Sequence, residues 1–346
     1  MRLEEIYQPI KNELKEVENT LEKALSRARN GAILKVNRFV LDTPGKRLRP
    51  ALVILSAKAT VPAEGASAYG GSHQLIKIAS AIELIHTASL IHDDLIDHSD
   101  RRHNNQTVNS LWGEDVSITL GDYLYTLAFE LISGCANPDI LGCISQAAKA
   151  MCEGELLQVL ERDNLSLLKE KYMLIIKQKT ASLFAASCQA GAIASNSSKS
   201  VRKALADYGM NFGIAFQMID DCLDLMGQGS SLGKAPGQDI RMGEVTLPLL
   251  NLLKSVSPSQ RQRLKKLLKS KDDDCLEKIR QELNNSNALE AARKICRGYL
   301  DSARERLKVL ANSPARESLL DLGDYLFKRV GQRAMVRPPI AAATDK

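Results

Sequence analysis

Two short aspartate motifs are the part of this sequence whose residue types and spacing most clearly suggest chemistry. The segments Asp93–Asp97 and Asp220–Asp224 share the pattern Asp-Asp-x-x-Asp, and each lies toward the C-terminal end of a long apolar run. On an α-helix the first, second and fifth positions fall within an arc of about 100°, so the three carboxylates of each motif share one face. They repel one another there, and the helix dipole adds a penalty near the C-terminal end.

A divalent cation would offset these costs. Oxygen ligands without a nearby set of histidine or cysteine ligands suit a hard ion, Mg²⁺ rather than Zn²⁺. Mg²⁺ that is held by a few carboxylates completes its coordination with water and substrate phosphate. A solvated acidic helix end is the alternative for a single motif, but two matched motifs favour a metal site. The third acidic segment, Asp272–Asp274, follows a polar stretch and is predicted to cap the N-terminus of a helix instead.

Basic side chains near these motifs could bind phosphate oxygens. Arg101 and Arg102 follow the first motif, and two adjacent arginines suggest bidentate contacts with phosphate. The segment Gly45–Pro50 concentrates cations before an apolar run, although a basic surface loop is the alternative interpretation. Lys179 and Thr180 lie within a mostly apolar run, where a lysine is costly unless it has an anionic partner.

Further polar residues have positions that suit ligand binding. Gln217 lies one helical turn before the second motif and could orient a substrate. Lys234 and Asp239 lie in a segment rich in Gly and Pro that could close over a ligand. His86 lies two turns before Asp93 on the same face, where it is either a core histidine or a phosphate contact.

Helices are predicted to position these residues, because apolar side chains recur at helical spacing along most of the chain. The run over 72–98 shows this period most clearly, whereas alternation typical of strands is rare, so β structure should be minor. The prediction is an all-α protein, a single large helical bundle around a central apolar cavity over residues 1–336, with a frayed tail at 337–346. Other helical runs are predicted at 3–29, 117–134, 140–160, 166–195, 200–226, 245–255, 258–268, 274–283, 287–311 and 315–331.

The composition excludes several classes of protein. The 346 residues are 44% hydrophobic and 25% charged, which is typical of a globular protein. No apolar run reaches the ~18 residues that cross a bilayer, and the charged N-terminal segment is not expected to be a signal peptide. The net charge of +6 occurs without a long basic run or interleaved aromatic residues, so nucleic acid is not an expected partner.

The seven cysteines are an odd number and include no Cys-x-x-Cys pair. Because most lie in apolar runs, they are predicted to be buried, reduced thiols. Reduced thiols indicate a cytoplasmic protein, and no stable membrane anchor is expected.

The motifs together resemble a known enzyme family. Between about residues 40 and 250 their order and spacing are similar to those of the trans-isoprenyl diphosphate synthases, also called polyprenyl synthetases. Paired Asp-Asp-x-x-Asp motifs with these flanking residues are highly specific. The matching segments are Gly45–Pro50, His86–Arg102, Gly121-Asp122, Glu153–Glu155, Lys179-Thr180, Phe216–Asp224 and Gly233–Pro248.

The resemblance implies a homodimer with the isoprenoid synthase fold, which condenses isopentenyl diphosphate with an allylic diphosphate and usually binds three Mg²⁺ ions per active site. The metal ligands that it implies are Asp93, Asp94, Asp97, Asp220 and Asp224, with Asp221 nearby. The residues that it implies for the allylic diphosphate are Arg101, Lys179, Thr180, Gln217 and Lys234. Those that it implies for isopentenyl diphosphate are Lys46, Arg49, His86 and Arg102.

The same resemblance implies the course of the reaction and a product length. The allylic C–O bond breaks to leave a carbocation, the alkene of isopentenyl diphosphate attacks it, and the departing diphosphate accepts the proton. Bulky side chains just before the first motif stop elongation early in this family. Ala88 and Ser89 are small, with Leu84 and Ile85 one turn deeper. A product of about C30 or longer is therefore predicted, with geranylgeranyl diphosphate (C20) as the alternative.

Three departures from the family pattern limit the comparison. Glu244 stands where the family usually has Lys. The stretch His103–Gln106 replaces a Gly-containing stretch and is one residue longer than usual. Ala235 replaces a common Pro. Glu244 leaves open a non-catalytic partner subunit of a heteromeric synthase, although both intact motifs argue against it. A class I terpene cyclase shares the first motif but usually carries an Asn/Ser/Glu-type second motif, which Asp220–Asp224 does not resemble.

Overall fold

A computed structural model describes residues 2–42, 45–61, 72–102, 105–226 and 237–331. Most of these residues are helical, which confirms the all-α prediction. The described strands form one short antiparallel ribbon of β1 (Arg101–Arg102) and β2 (Asn105–Gln106). The helices are α1 Leu3–Ile6, α2 Lys11–Leu25, α3 Gly31–Leu41, α4 Leu48–Ala59, α5 Ser72–Ile96, α6 Val108–Trp112, α7 Glu114–Ser133, α8 Pro138–Leu160, α9 Lys169–Ile176, α10 Ser182–Ala194, α11 Lys199–Leu225, α12 Gln238–Met242, α13 Leu247–Ser255, α14 Pro258–Ser270, α15 Asp273–Asn284, α16 Ala288–Arg306 and α17 Pro314–Gly331.

Some of the predicted features lie outside the described residues. These are Lys234, the replaced proline position Ala235, part of the longer stretch at His103, and the tail 337–346.

Side-chain caps begin several helices where the sequence supplies Asn, Ser or Asp. Asn137 accepts hydrogen bonds from the amides of Asp139 and Ile140, at 3.0 and 3.3 Å, and so starts α8. Asp272 accepts one from the amide of Cys275 at 2.7 Å at the start of α15. The predicted capping role of the third acidic segment is therefore confirmed.

One hydrophobic cluster extends from Ile6 in α1 to Leu326 in α17. Within it, α5 packs against α4 and α7, and α10 packs against α4, α8 and α11. The crossing of α10 and α11 is close because Gly209 has no side chain. A Cβ atom there would lie 2.8 Å from the Cα atom of Ala185. These tightly packed helices carry most of the predicted site residues.

Helix α5 is apolar because it lies in the core. By length and composition its segment His73–Ile96, with a mean hydropathy of 1.3, could cross a membrane. However, 67% of that apolar stretch is buried inside the bundle. Its contacts with α4 and α7 therefore account for its composition.

Two predicted helices are interrupted. The run over 3–29 contains a 3₁₀ turn at Gln8–Ile10, because Pro9 has no amide to donate to the preceding turn. The run over 166–195 contains a π-helical turn at Lys177–Ala181. A π-helical turn inserts an additional residue, which a count of apolar spacing does not detect.

The prediction that the cysteines are buried is only partly correct. All seven are free, and Cys188, Cys222 and Cys296 are buried. Cys152 is exposed, and Cys135, Cys143 and Cys275 are partly exposed.

Candidate active site

The first aspartate motif lies at the C-terminal end of α5, beside the β-ribbon. Asp94 is 5% exposed and pairs with Arg102, whose Nε donates to both carboxylate oxygens at 2.9 Å. Arg102 Nη2 lies 2.8 Å from Asp94 Oδ1. Asp93 and Asp97 are partly exposed one turn apart, and Arg101 is exposed. The motif thus holds Arg102 in place and leaves Asp93 accessible.

Asp97 is paired with Arg162, a residue around which the sequence shows no motif. Arg162 follows the end of α8, and its Nη2 lies 2.8 Å from Asp97 Oδ1 while its Nη1 donates to the carbonyl of Ile96 at 3.4 Å. Nη2 also lies 3.5 Å from Glu244 Oε1. Arg162 therefore links the first motif to the segment that follows α12.

Lys179 lies in the π-helical turn and forms an ion pair with Glu155 of α8. The turn approaches α8 closely at Gly154, where a Cβ atom would lie 2.8 Å from the Cα atom of Lys179. Burial opposes the charge of Lys179, but Asp93, Glu155 and Glu244 raise its pKa overall. Burial raises the pKa of Glu155 to about 7, against the opposing effect of Lys179. The anionic partner expected for a lysine in this apolar run is therefore present.

The second motif, on α11, is joined to the same π-helical turn by hydrogen bonds. Thr180 Oγ1 donates to Gln217 Oε1, and Gln217 Nε2 donates to Asp221 Oδ1, both at 2.8 Å. The Tyr172 hydroxyl donates to the other Asp221 oxygen at 2.6 Å. Burial raises the pKa of Asp221 to about 7, while these two hydrogen bonds favour its charged form.

Asp224 faces the start of α12. The amides of Gln238 and Asp239 donate to its two carboxylate oxygens, each at 3.2 Å. Burial raises the pKa of Asp224, and these backbone hydrogen bonds oppose the increase. Burial, followed by the charge of Asp224, also raises the pKa of Asp239. Asp239, which the sequence placed only in a loop, therefore joins Asp220 and Asp224 in a second acidic cluster.

The charges of Lys179 and Glu244 act between the two acidic clusters. The charge of Asp93 acts on Lys179 from the first motif. Burial raises the pKa of Glu244, with Lys179 opposing and Asp97 adding to the increase. On the opposite side, Glu244 adds to the burial effect that raises the pKa of Asp221. Lys179 and Glu244 therefore link the two motifs electrostatically.

A cationic cluster lies next to the first motif. Arg49 is 8% exposed, with its guanidinium 4.3 Å from the centre of the Phe184 ring. Its Nε has no hydrogen-bond acceptor among the described residues. Burial lowers the pKa of Arg49 to about 10. Burial also lowers the pKa of His86, and Arg49, Arg102 and Arg47 add to that effect. Arg47 and Arg102 are paired with carboxylates, so the Nε of Arg49 is the donor in this cluster that could bind an anion.

The loop before α4 is fixed by contacts that sequence inspection did not identify. Arg47 has a left-handed backbone (φ 49°) and donates from Nε to Glu18 at 2.6 Å and from Nη1 to Glu83 at 2.8 Å. The Tyr7 hydroxyl donates to the carbonyl of Lys46 at 2.9 Å. These contacts place the backbone of Lys46 beside the cationic cluster.

The four candidate chain-length residues occupy two environments on α5. Leu84, Ile85 and Ala88 are buried in the core. Ser89 is partly exposed, and its hydroxyl donates to the carbonyl of His86 at 2.8 Å. Ser89 is therefore the member of this group that lies nearest to solvent-accessible space on the face of Asp93.

The donor atoms of the two motifs suit a hard cation. Carboxylate oxygens predominate, and within the described ranges no three His, Cys, Asp or Glu side chains are close enough to bind an ion by themselves. Mg²⁺ commonly obtains its remaining ligands from water and substrate phosphates. The residues therefore fit Mg²⁺ that is shared with a diphosphate.

Comparison with known proteins identifies the family. A family model described as polyprenyl synthetase matches residues 31–285. The chain belongs to the polyprenyl synthetase family. It is 35% identical over 298 residues to octaprenyl diphosphate synthase of Escherichia coli K12, which covers 86% of this chain and 90% of that one.

Two further polyprenyl synthetases extend the comparison. Heptaprenyl diphosphate synthase component 2 of Bacillus subtilis is 32% identical over 332 residues, which is 95% of this chain and 91% of that one. The crystal structure of polyprenyl synthase from Caulobacter crescentus CB15, complexed with calcium and isoprenyl diphosphate, is similar with a TM-score of 0.88 and 30% identity. That similarity covers 94% of this chain and 97% of the other.

This polyprenyl synthetase is therefore a trans-prenyltransferase with the isoprenoid synthase fold. Its site suits that chemistry, because the first requirement is to stabilise the negative charge that develops on a leaving diphosphate. The two motifs supply carboxylates, and the cationic cluster lies next to the first of them.

Proposed function

We propose that this enzyme adds isopentenyl diphosphate repeatedly to an allylic diphosphate and forms a product of about C30 or longer. The observation that supports the proposal most directly is the link between the motifs at the π-helical turn. Thr180 is joined through Gln217 to Asp221, and the charge of Asp93 acts on the adjacent Lys179. Two linked acidic motifs are what a metal-assisted diphosphate departure requires.

Three Mg²⁺ ions would be held by the first and third aspartates of the two motifs together with diphosphate oxygens. When bound, they would neutralise the charge that develops on the leaving diphosphate. The resemblance also includes Asp94 among the ligands, but its contacts with Arg102 favour a role in positioning that arginine. Asp221, which Tyr172 and Gln217 contact, would hold α11 against the π-helical turn.

The chain's own cations would bind and orient the two substrates. Thr180 and Gln217 would orient the allylic diphosphate. Departure of its diphosphate group leaves the allylic carbocation. The alkene of isopentenyl diphosphate then forms the new C–C bond, and the departed diphosphate takes the proton, so no protein base is needed. The cations proposed for the allylic diphosphate are Arg101, Lys179 and Lys234. The residues proposed for isopentenyl diphosphate are Lys46, Arg49, His86 and Arg102.

Small residues on α5 support a long product. Ala88 and Ser89 are small, and Ser89 is partly exposed one turn before the first motif, where a growing chain would pass. The name of the Escherichia coli relative, an octaprenyl diphosphate synthase, agrees with a long product. Geranylgeranyl diphosphate is the alternative product.

We further propose one domain over residues 1–336, a homodimer and a cytoplasmic location. The continuous hydrophobic cluster from Ile6 to Leu326 supports one domain. Exposed apolar residues support a dimer contact through α7 and α8, because Ile118, Leu156 and Leu160 are 48%, 64% and 79% exposed.

Product chromatography tests the function. Purified protein is incubated with Mg²⁺, farnesyl diphosphate and radiolabelled isopentenyl diphosphate, and the dephosphorylated products are separated by length. The expected products are C30 or longer, whereas C15 or C20 products alone would contradict the long-chain proposal. The Asp93→Asn variant and a chelator-treated sample should form no product.

The same assay distinguishes a homodimer from a subunit of a heteromeric synthase. The Bacillus subtilis relative is named as one component of a synthase. Turnover by this chain alone would support the homodimer, and turnover only after a second protein is added would contradict it. Size-exclusion chromatography with light scattering measures the oligomer, and Leu160→Asp should shift it toward the monomer.

A further inference from the structure

Glu244 adds a negative charge to the proposed active site. Its side chain is 13% exposed, and its carboxylate lies near Lys179, which is proposed to bind the allylic diphosphate. A carboxylate beside that lysine would weaken the lysine's attraction for diphosphate unless a further cation compensated it.

Arg162 is placed to compensate this charge. Its Nη2 contacts Asp97 Oδ1 at 2.8 Å and Glu244 Oε1 at 3.5 Å, and its side chain is 18% exposed. The same guanidinium donates to the carbonyl of Ile96 at 3.4 Å. The arginine is therefore anchored to the end of α5 and can hold Glu244 there.

We propose that Arg162 is a positioning residue for prenyl transfer, which holds the Glu244 carboxylate away from the diphosphate that Lys179 binds and neutralises it. This inference rests on the proposed function. Its distinctive consequence is that loss of Arg162 weakens binding of the allylic diphosphate only while Glu244 carries a charge. A residue that contacted the diphosphate directly would not have this dependence. A residue that only supported the fold would lower the Tm without changing the KM for one substrate selectively.

Four variants test the dependence: Arg162→Gln, Arg162→Lys, Glu244→Gln and the double variant R162Q/E244Q. Arg162→Gln should raise the KM for the allylic diphosphate about tenfold and leave the KM for isopentenyl diphosphate within about twofold. Arg162→Lys and the double variant should return the allylic KM to within about threefold of the wild type. Glu244→Gln alone should change it by less than about threefold.

A binding measurement provides a readout apart from turnover. Isothermal titration calorimetry with inorganic diphosphate in excess Mg²⁺ should show weaker binding by Arg162→Gln, also about tenfold, and recovery in the double variant. Arg304→Gln is the matched control, because Arg304 forms an exposed ion pair with Asp324 at 2.9 Å on the surface of α16 and α17. Thermal unfolding of each unliganded variant shows whether it is folded.

The outcomes are distinguishable. If the double variant is as defective as Arg162→Gln, Arg162 does not act through Glu244 and the inference is overturned. If Arg162→Gln behaves like the Arg304→Gln control, it is overturned as well. Wild-type protein that neither elongates the substrate nor binds diphosphate would instead refute the proposed function.

Discussion

The contact between Gly154 and the π-helical turn allows a quantitative test of how Lys179 is positioned. Replacing Gly154 with alanine adds one Cβ atom at 2.8 Å from the Lys179 Cα and 2.9 Å from the carbonyl carbon of Gln178. Ordinary contacts begin near 3.4 Å. The Lys179 amide nitrogen would be closer still. Because these atoms belong to the backbone, they cannot rotate away, and α8 and the turn must separate by about 1 Å.

Two effects should follow from this separation. Overpacking of this kind costs about 1–3 kcal/mol of unfolding free energy, so the Tm should fall by a few degrees. The Nζ atom of Lys179 would move relative to the aspartates of the first motif. A displacement of about 1 Å of a positioning group lowers rates by about 100-fold, so kcat should fall far more than the modest loss of stability explains.

Steady-state elongation assays at a temperature well below both Tm values measure the effect. Gly142→Ala is a matched control on the same helix, because a Cβ atom there meets nothing within 4 Å. The control should keep wild-type kcat and gain about 0.5–1 kcal/mol of stability from the higher helix propensity of alanine. A kcat for Gly154→Ala within twofold of wild type would refute the argument that this contact positions Lys179.

Three further predictions concern product length and pH. Ser89→Phe should shorten the main product, because Ser89 is partly exposed on the face of Asp93 and the ring would occupy space beside the growing chain. Unchanged product lengths in a folded variant would contradict this. Burial raises the pKa of Glu155 to about 7, so between about pH 4.3 and 7 the folded state binds more protons than the unfolded state. The Tm of metal-free protein should therefore fall as pH rises through this range, and Glu155→Gln should reduce the slope, whereas equal slopes would argue against it. Tyr172→Phe removes a hydrogen bond that favours the charged form of Asp221, so the pKa of Asp221 should rise. The acid limb of the pH profile of kcat/KM should then move to higher pH by about one unit. An acid limb at the wild-type pH would exclude this role for Tyr172.

The parts of the fold that the sequence predicts are those with local causes. The apolar spacing of α5 and α11 and the cap at Asp272 depend on nearby residues, so their helices could be inferred directly. The two aspartate motifs could be selected because crowded carboxylates on one helix face need compensation. The π-helical turn at Lys177–Ala181 could not be inferred, because it depends on the close approach of α8 at Gly154.

The site residues that sequence inspection missed are those with partners distant in the chain. Arg162 has no distinctive neighbours, and its importance follows only from the meeting of α5, α8 and the segment after α12. The same holds for Tyr172, whose hydroxyl reaches Asp221 on α11. The anionic partner of Lys179 could be anticipated as a chemical need, but its identity as Glu155 required the packed helices.

The ion pairs of Arg102 with Asp94 and of Arg162 with Asp97 have a consequence for handling the protein. They neutralise part of the first acidic cluster before any magnesium is present. In the second acidic cluster, burial raises the pKa values of Asp224 and Asp239 and so favours their protonated, uncharged forms. Depletion of divalent ions should therefore stop turnover while leaving the bundle intact. Samples stripped with EDTA are expected to regain full rates when magnesium is restored, without a refolding step.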